Sequence, residues 1–278
     1  MTVGKDGGIE IQIETITTCN AKCHFCIYPE HEDIRGGKVM SMELWKKIMD
    51  EVGEIPLIFA LKPIGLGEPL LDMRLEERLE YARDKVKFIY IFTNGFLLKP
   101  ERSKSLKAAG LNTVIVSLNA VNQEQHTKVM GVRGLYAKVC ENIESARDAG
   151  LDVEVHAVWN GDQFTNEDAM EFHRRWGTVS TGGCGLIVRE GNWAGDTRKV
   201  REWKPNEHCF RATTQINVLW DGRVSTCCTD LLGKMVFGDL SKQTIKEVYN
   251  SEKYTTFRED HYYDRADKYA ICAGCTRI

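Results

Sequence analysis

Short runs of apolar and β-branched residues recur along the first two thirds of the chain, and most intervals between them carry a helical pattern. These runs predict six strands, at residues 9–15, 57–61, 88–92, 113–118, 153–159 and 185–189. Strands that alternate with helices pair in parallel through right-handed crossovers. Six units are too few to close an eight-stranded barrel. The expected fold class is therefore α/β, a partial (β/α)6 barrel of the TIM type.

Capping residues and repeats of four predict the helices between these strands. Ser41 has the side chain of a helix cap, and apolar residues repeat every four positions after it up to residue 52. A similar repeat predicts a helix between residues 135 and 146, and a shorter helix is expected over residues 103–109. Thr165, followed three positions later by Asp168, predicts the start of another helix.

The alternation stops after about residue 191. Residues 193–205 are polar and loop-like, and the tail beyond them reads as short strands, glycine turns and one helix over residues 241–249. Asp221-Gly222, between apolar runs, predicts a two-residue hairpin. A domain of this size usually needs additional stabilisation to fold, such as a bound metal. We therefore expect two domains, a barrel over residues 1–190 and a small auxiliary domain over residues 191–278.

Composition and charge narrow the class of protein. The 278 residues carry a formal net charge of −3, with basic and acidic side chains interspersed, so no nucleic-acid partner is expected. No apolar stretch is long enough to span a bilayer, and the N-terminus lacks the apolar run of a signal peptide. The expectation is a cytoplasmic protein without a membrane partner, whose ten cysteines ligate metal or remain thiols.

Three of these cysteines, Cys19, Cys23 and Cys26, follow the first predicted strand with the spacing C-x3-C-x2-C. Three thiolates on a four-iron cubane leave one iron open to a small molecule. Zinc is the alternative, but it requires a fourth ligand, and His24 between two of the cysteines is poorly placed to supply one. Reactive loops of α/β barrels follow the C-terminal ends of strands, as this loop does. The pattern favours a [4Fe–4S] cluster.

The three-cysteine motif, with Phe25 before its last cysteine, resembles that of the radical S-adenosylmethionine (SAM) superfamily, and the resemblance covers about the first 190 residues. It implies that SAM chelates the open iron and that one electron cleaves it. The resulting 5′-deoxyadenosyl radical removes a hydrogen atom from the substrate. The resemblance also implies cofactor-binding residues, which on the matching positions are Phe25, Ile27, Gly65, Gly67, Glu68, Thr93, Ser117, Asn119 and Val158.

The sequence Leu66-Gly67-Glu68-Pro69 resembles the superfamily's Gly-Gly-Glu motif, which receives the methionine amino group of SAM. Here Leu66 replaces the first glycine, so Gly65 or Gly67 would provide the backbone opening. A carboxylate at Glu68 can hold an ammonium group. The alternative is an ordinary strand-end turn with a carboxylate at a helix start.

The other cofactor contacts implied by the resemblance lie at strand ends. Ser117 and Asn119 match the ribose-contacting position, although serine and asparagine are common at strand ends for structural reasons. Backbone near Phe25 and Ile27, with apolar Val158, would surround the adenine. Residues 93–95, beginning with Thr93, end the third strand in a manner similar to the superfamily.

A second constellation comprises Cys209, Cys227, Cys272 and Cys275. Four thiolates can close a second [4Fe–4S] cluster or bind zinc, and spacing alone favours zinc. The arrangement resembles the auxiliary-cluster region called SPASM, or twitch when shortened, which implies an iron–sulfur cluster. Cys228 adjoins Cys227, and because adjacent strand residues point to opposite faces, only one of the two should face the cluster.

An auxiliary cluster saturated by cysteines cannot bind substrate but can accept an electron. The resemblance therefore implies a two-electron oxidation, such as alcohol to ketone on a sugar or cyclitol, and the cysteine framework resembles that of the 2-deoxy-scyllo-inosamine dehydrogenases. Two alternatives stay open: a peptide-modifying maturase that oxidises, crosslinks or epimerises, and a non-catalytic carrier with two clusters. The open iron argues against the carrier, since electron storage needs no labile site.

Three candidate catalytic residues follow from these expectations. Arg189 lies just after the sixth predicted strand and is a poor base, so anchoring substrate is its expected role, or else a rim ion pair. Glu190 and His156 are better bases, although a mid-strand histidine is as often an inert core residue. The expected partners are a small-molecule or peptide substrate and a reductant such as flavodoxin or ferredoxin.

Overall fold

Six parallel strands in chain order form the first part of the sheet. The computed structural model describes residues 8–159, 164–177, 183–188, 209–273 and 275. All six predicted strands are confirmed, each with bounds within two residues of the prediction. They are β1 Ile9–Ile13, β2 Ile58–Lys62, β3 Phe88–Thr93, β4 Thr113–Ser117, β5 Asp152–Trp159 and β6 Gly183–Val188. Every neighbouring pair among them is parallel, as crossover helices require.

Seven described helices accompany these strands. They are α1 Tyr28–Arg35, α2 Met42–Gly53, α3 Leu75–Ala82, α4 Pro100–Ala108, α5 Gln123–Met130, α6 Tyr136–Asp148 and α7 Asn166–Trp176. The predicted caps are confirmed: the Ser41 side chain accepts from the Leu44 N–H, and Thr165 and Asp168 form a capping box. Helix α4 begins three residues earlier than predicted, because Pro100 has the backbone angle that a first turn needs.

The tail continues the barrel's own sheet. Its strands are β7 Gln215–Val218, β8 Arg223–Ser225 and β9 Val236–Asp239. Strand β7 pairs in parallel with β1, β8 and β9 follow in antiparallel pairing, and the nine-stranded order is β6-β5-β4-β3-β2-β1-β7-β8-β9. The tail therefore gains its core largely by packing on β1, where the sequence suggested a small separate module.

Two expectations for the tail are wrong in detail. The hairpin between β7 and β8 has a three-residue loop, because Leu219 N–H donates to the Arg223 carbonyl and Gly222, at φ +94°, supplies the left-handed third position. The single predicted helix begins at Ile245, capped by Thr244. The described tail contains four α-helices, of which only the second was predicted: α8 Phe210–Thr214, α9 Ile245–Tyr249, α10 Glu252–Tyr262 and α11 Ala270–Ala273.

The two faces of the sheet differ in polarity. On β1, Ile9, Ile11 and Ile13 are buried in the hydrophobic core beneath the helices, while Glu10 and Gln12 point to the other face. We call that inner face the lumen. None of the helices in the described residues is both long and apolar enough to cross a membrane.

Candidate active site

The three N-terminal cysteines lie on the loop between β1 and α1 and are half-buried. Burial raises the pKa of the Cys19 thiol to about 12, and the nearby Glu68 and Cys26 add to the rise. Burial also raises the pKa of Cys23, again with contributions from its two cysteine neighbours. The three thiols are thus close enough to oppose one another's ionisation. They can be thiolates together only beside a compensating cation, which iron–sulfur ligation provides.

The described residues contain no preformed site for a single metal ion. Within the described residues, no group of three or more His, Cys, Asp or Glu side chains converges as ligands of a single ion do.

Glu68 is buried just beyond β2, and three protein donors hold its carboxylate. Its Oε1 accepts from the Thr93 hydroxyl at 2.6 Å, and its Oε2 accepts from the Asn94 N–H at 2.8 Å. Leu70 N–H donates to Oε1 at 3.1 Å. Burial raises the pKa of Glu68, and its charge in turn raises the pKa of Cys19. The carboxylate therefore lies beside the cysteine loop and fixes the end of β3 to the loop after β2.

The glycines of this loop serve close packing against β1. A Cβ at Gly67 would lie 2.4 Å from the carbonyl oxygen of Ile16 and 2.6 Å from that of Thr18. A Cβ at Gly65 would overlap the side chain of Glu14. The sequence interpretation assigned these glycines to close approach of a ligand, but in the structure their open sides face the protein.

The remaining candidate cofactor contacts divide into engaged and available groups. The Asn119 amide is fully engaged, since Oδ1 accepts from Val158 N–H at 2.8 Å and Nδ2 donates to the Ser117 carbonyl at 3.2 Å. This engagement holds Asn119 in a left-handed conformation at φ 56°. Ser117 is half-buried, and Ile27 and Val158 are buried. Phe25, half-buried, packs against the main hydrophobic core.

His156 lies in the lumen beside a carboxylate that the sequence interpretation missed. Its Nε2 is 3.1 Å from Oε2 of Glu154, two residues earlier on β5. Period-two alternation puts both on the same face of the strand, which was the signal available in the sequence. Arg189 and Glu190 lie outside the described residues.

Glu10 links the barrel to the tail across the lumen. It is fully buried and pairs with Lys62 at 2.7 Å. It also accepts hydrogen bonds from the Tyr90 hydroxyl and from Gln215 Nε2, the latter at 2.8 Å. The network joins β1, β2, β3 and β7, and it is a further set of lumen residues that the sequence interpretation missed.

The auxiliary cysteines group around Cys272. Burial raises its pKa, with further contributions in order from Cys227, Cys209 and Cys275. Cys228 interacts with Cys227, whose pKa it helps to raise after burial, and after burial and Glu10 it also adds to the rise in the pKa of Tyr90 in the lumen. Cys227 therefore lies near Cys272, and Cys228 lies near both Cys227 and Tyr90.

A histidine completes the surroundings of the auxiliary cysteines. His261, buried on α10, has Nε2 at 3.4 Å from Cys272 Sγ and Nδ1 at 2.7 Å from the Phe257 carbonyl oxygen. A cavity of about 350 Å³ lies beside it, lined by Cys209, Phe210, Thr213, His261 and Tyr262. Because the sequence interpretation placed one helix in the tail, and α10 is another, this histidine was missed.

The two cysteine groups lie at opposite edges of the sheet. The loop carrying Cys19 follows the C-terminal end of β1. Cys209 precedes β7, and Cys227 follows antiparallel β8, so both lie where β7 begins. Because β7 is parallel to β1, that edge is the opposite one. The five residues of β1 between the edges span about 17 Å.

Comparison with known proteins decides the family. The model of the Radical SAM superfamily matches residues 13–175, more than half of the chain. The chain belongs to this superfamily. An iron–sulfur cluster-binding domain, SPASM, matches residues 209–276. This radical SAM enzyme therefore uses SAM and a [4Fe–4S] cluster, with auxiliary iron–sulfur ligation in its C-terminal region.

Relatives of the radical SAM enzyme carry several activities. It is 40% identical over 139 residues to a probable GTP 3',8-cyclase of Methanococcus maripaludis, a match covering 48% of this chain and 43% of that protein. The chain thus spans less than half the length of this relative.

Two solved structures share its fold. BtrN in complex with AdoMet and 2-DOIA has a TM-score of 0.70 at 19% identity, covering 98% of this chain and 94% of that one. Streptococcus suis SuiB bound to precursor peptide SuiA has a TM-score of 0.71 at 15% identity, covering 90% and 66%.

Proposed function

We propose that this radical SAM enzyme oxidises an alcohol of a sugar- or cyclitol-like substrate to a ketone by two electrons. The observation that carries the proposal is the placement of two cysteine groups at opposite ends of one polar lumen. A substrate bound between them adjoins the SAM end on one side and the auxiliary end on the other. Cys209, Cys227, Cys272 and Cys275 provide four ligands, which leaves the auxiliary centre as an electron acceptor.

The proposed reaction balances in three parts. SAM, held at the N-terminal cysteines, would supply a 5′-deoxyadenosyl radical able to take one hydrogen atom from the carbinol carbon. The hydroxyl proton would pass to a base in the lumen, and the four auxiliary cysteines would hold the group that accepts the remaining electron. The C–H and O–H bonds are lost and a C=O bond forms, so the product is lighter by two hydrogens.

His156 is the proposed proton acceptor. A carboxylate only accepts hydrogen bonds, so Glu154 fixes the histidine proton on Nε2. The lone pair is then on Nδ1, which is buried and has no hydrogen-bond partner among the described residues. Glu154 acts as a positioning residue that keeps this tautomer. Arg189 as a substrate anchor and Glu190 as an alternative base remain proposals.

The SAM site itself is proposed from residues around the first cysteine loop. Glu68, beside Cys19, would receive the methionine amino group, and Gly65 and Gly67 shape the loop that holds it. Ser117 would contact the ribose, because the Asn119 amide is already bonded to protein. The other proposed contacts are the Thr93 loop and, around the adenine, Phe25, Ile27 and Val158.

The two solved structures bear on whether the substrate is a small molecule or a peptide. BtrN, solved with AdoMet and 2-DOIA, matches this chain over nearly all of both lengths, which supports a small substrate. SuiB, solved with a precursor peptide, is longer, and this chain covers 66% of it. Peptide modification is therefore the competing outcome of the test.

The test uses anaerobically reconstituted enzyme, dithionite in place of the proposed flavodoxin or ferredoxin, SAM, and 2-deoxy-scyllo-inosamine. We expect 5′-deoxyadenosine and a product lighter by two hydrogens. In Cys227→Ser, SAM cleavage should persist while ketone is lost, and His156→Phe should lose ketone with both clusters intact. A product with the same mass as the substrate would indicate epimerisation. Turnover of a peptide alone would indicate a peptide-modifying maturase, and absence of 5′-deoxyadenosine would indicate an electron carrier. Each would overturn the proposal.

A further inference from the structure

Two polar side chains in the lumen are buried without hydrogen-bond partners. Asn217 on β7 is 2% exposed, and neither its Oδ1 nor its Nδ2 has a partner among the described residues. Ser225 on β8 is 1% exposed, and its Oγ also has none. Oε1 of Gln215 is in the same state. Buried polar atoms normally find partners because leaving them unpaired costs stability, so three such side chains in one place require an explanation.

These side chains share one face and one region of the lumen. Gln215 faces the lumen because its Nε2 donates to Glu10. Asn217, two residues later on the same strand, points the same way. Ser225 is the register partner of Asn217, and so is Gln12 on the other side, so both also face the lumen. The unpartnered atoms therefore lie on adjacent strands.

The cluster stands between the two cysteine groups. Gln12, the register partner of Asn217, precedes the loop that carries Cys19. Ser225 lies two residues before Cys227, on the strand that leads to the auxiliary cysteines. A substrate that loses a hydrogen atom at one end and an electron at the other would therefore adjoin these side chains.

We propose that Asn217, Ser225 and Gln215 form a subsite that binds the hydroxyl groups of a sugar or cyclitol ring. This subsite rests on the proposed function, and its residues would determine which substrate the enzyme oxidises. The Asn217 amide and the Ser225 hydroxyl can each donate and accept hydrogen bonds, and Gln215 Oε1 can accept them. Adjacent hydroxyl groups on a sugar or cyclitol ring also donate and accept, so the two sets of groups match.

Charge supports a polyhydroxylated ligand at this subsite. The charged groups next to it, Glu10 and Lys62, neutralise each other at 2.7 Å. Tyr90 shares the Glu10 carboxylate, so it is committed to the same network. No unpaired charge among these neighbours attracts an ion, and the unpartnered atoms are neutral. The subsite therefore binds its ligand through hydrogen bonds. A ligand that enters it gives up hydrogen bonds to water, and only a ligand with matching polar groups regains them from the protein.

The test compares Asn217→Leu with a matched control, Asn142→Leu. Asn142 on α6 is 1% exposed and also has an unpartnered Oδ1, but its Nδ2 donates to the Gly95 carbonyl at 2.8 Å. Without substrate, Asn217→Leu should keep or raise the melting temperature, because leucine has a volume similar to that of asparagine and lacks the unpaired polar atoms. Asn142→Leu should lower it, because the Gly95 carbonyl loses the closer of its two donors.

Binding of 2-deoxy-scyllo-inosamine, measured by equilibrium dialysis with SAM-loaded protein, supplies the second readout. We expect Asn217→Leu and Ser225→Ala to bind it at least about tenfold more weakly and the control to bind it like wild type. Iron content and substrate-free SAM cleavage should match wild type in Asn217→Leu and Ser225→Ala. Wild-type-like binding by Asn217→Leu would overturn the subsite, as would a wild type that does not bind the probe. If binding falls as expected but the product is isobaric, the subsite stands and the proposed oxidation fails.

Discussion

Replacing Gly67 by alanine tests whether this glycine packs the loop after β2 against the segment that carries the first cysteine. The added Cβ would lie 2.4 Å from the Ile16 carbonyl oxygen and 2.6 Å from the Thr18 carbonyl oxygen, where ordinary contacts are at least 3.4 Å. Both neighbours are backbone atoms and cannot rotate aside. The Thr18 carbonyl already accepts from the Glu68 N–H at 2.9 Å, and separation would break that bond.

The magnitude follows from these two effects. Overpacking of about 1–3 kcal/mol, with about 1 kcal/mol for the hydrogen bond, lowers the free energy of unfolding by about 2–4 kcal/mol. For a chain of this length, that corresponds to a fall in Tm of roughly 5–15 °C. Because Thr18 precedes Cys19, the shift should also reduce iron incorporation at the N-terminal site.

The assay is anaerobic thermal unfolding followed by circular dichroism, with iron per chain after reconstitution. Gly134→Ala is the control, since Gly134 also resists substitution, at φ +75°, but a Cβ there would meet nothing within 4 Å. It should cost only the conformational penalty, about 1–2 kcal/mol. Equal falls in Tm for the two variants, with full iron in Gly67→Ala, would refute the packing argument.

Three further outcomes follow from single contacts. In wild type the Asn94 N–H donates to the Glu68 carboxylate, and in Glu68→Gln it would face an amide NH2 instead. This change should lower the free energy of unfolding, measured in urea, by about 1–3 kcal/mol. An unchanged urea midpoint would contradict this expectation. Cys227→Ala should lose about four of about eight irons per chain and Cys228→Ala none, whereas equal losses would contradict the grouping around Cys272. Arg78→Met leaves buried Asp72 without its 2.8 Å partner and should cost about 3–5 kcal/mol in the same urea assay, and adding Asp72→Leu should recover part of it; a single variant as stable as wild type would contradict the pairing.

The strands of the barrel could be predicted because each is a local signal. A strand buried on its outer face shows alternation over five to eight residues, and β1 and β5 show it clearly, whereas β3 stands out as a short run of aromatic and β-branched residues. The cysteine groups could be predicted for a similar reason, since spacing alone brings Cys19, Cys23 and Cys26 together. Short helices such as α1 and α3, two turns each, carry too few periods to stand out.

What the sequence could not supply depends on contacts between distant residues. The proposed choice of Cys227 over Cys228 rests on the positions of Cys272 and Tyr90, which come from other elements. The engagement of the Asn119 amide depends on β5 lying alongside β4. Local propensity contains no information on either pairing.

The pairing of β1 with β7 is the feature on which the proposed chemistry depends most. Residues more than two hundred positions apart become neighbours there, and Glu10 then bonds Lys62 from the barrel and Gln215 from the tail at once. A one-residue slip in this register would turn Gln215 and Asn217 out of the lumen and into the apolar core. The hydrogen bond from Gln215 to Glu10 opposes that slip, because its loss would leave the buried carboxylate with one donor fewer in a site that water does not reach. The same register that completes the sheet thus keeps polar side chains on the lumen face between the two proposed iron–sulfur sites.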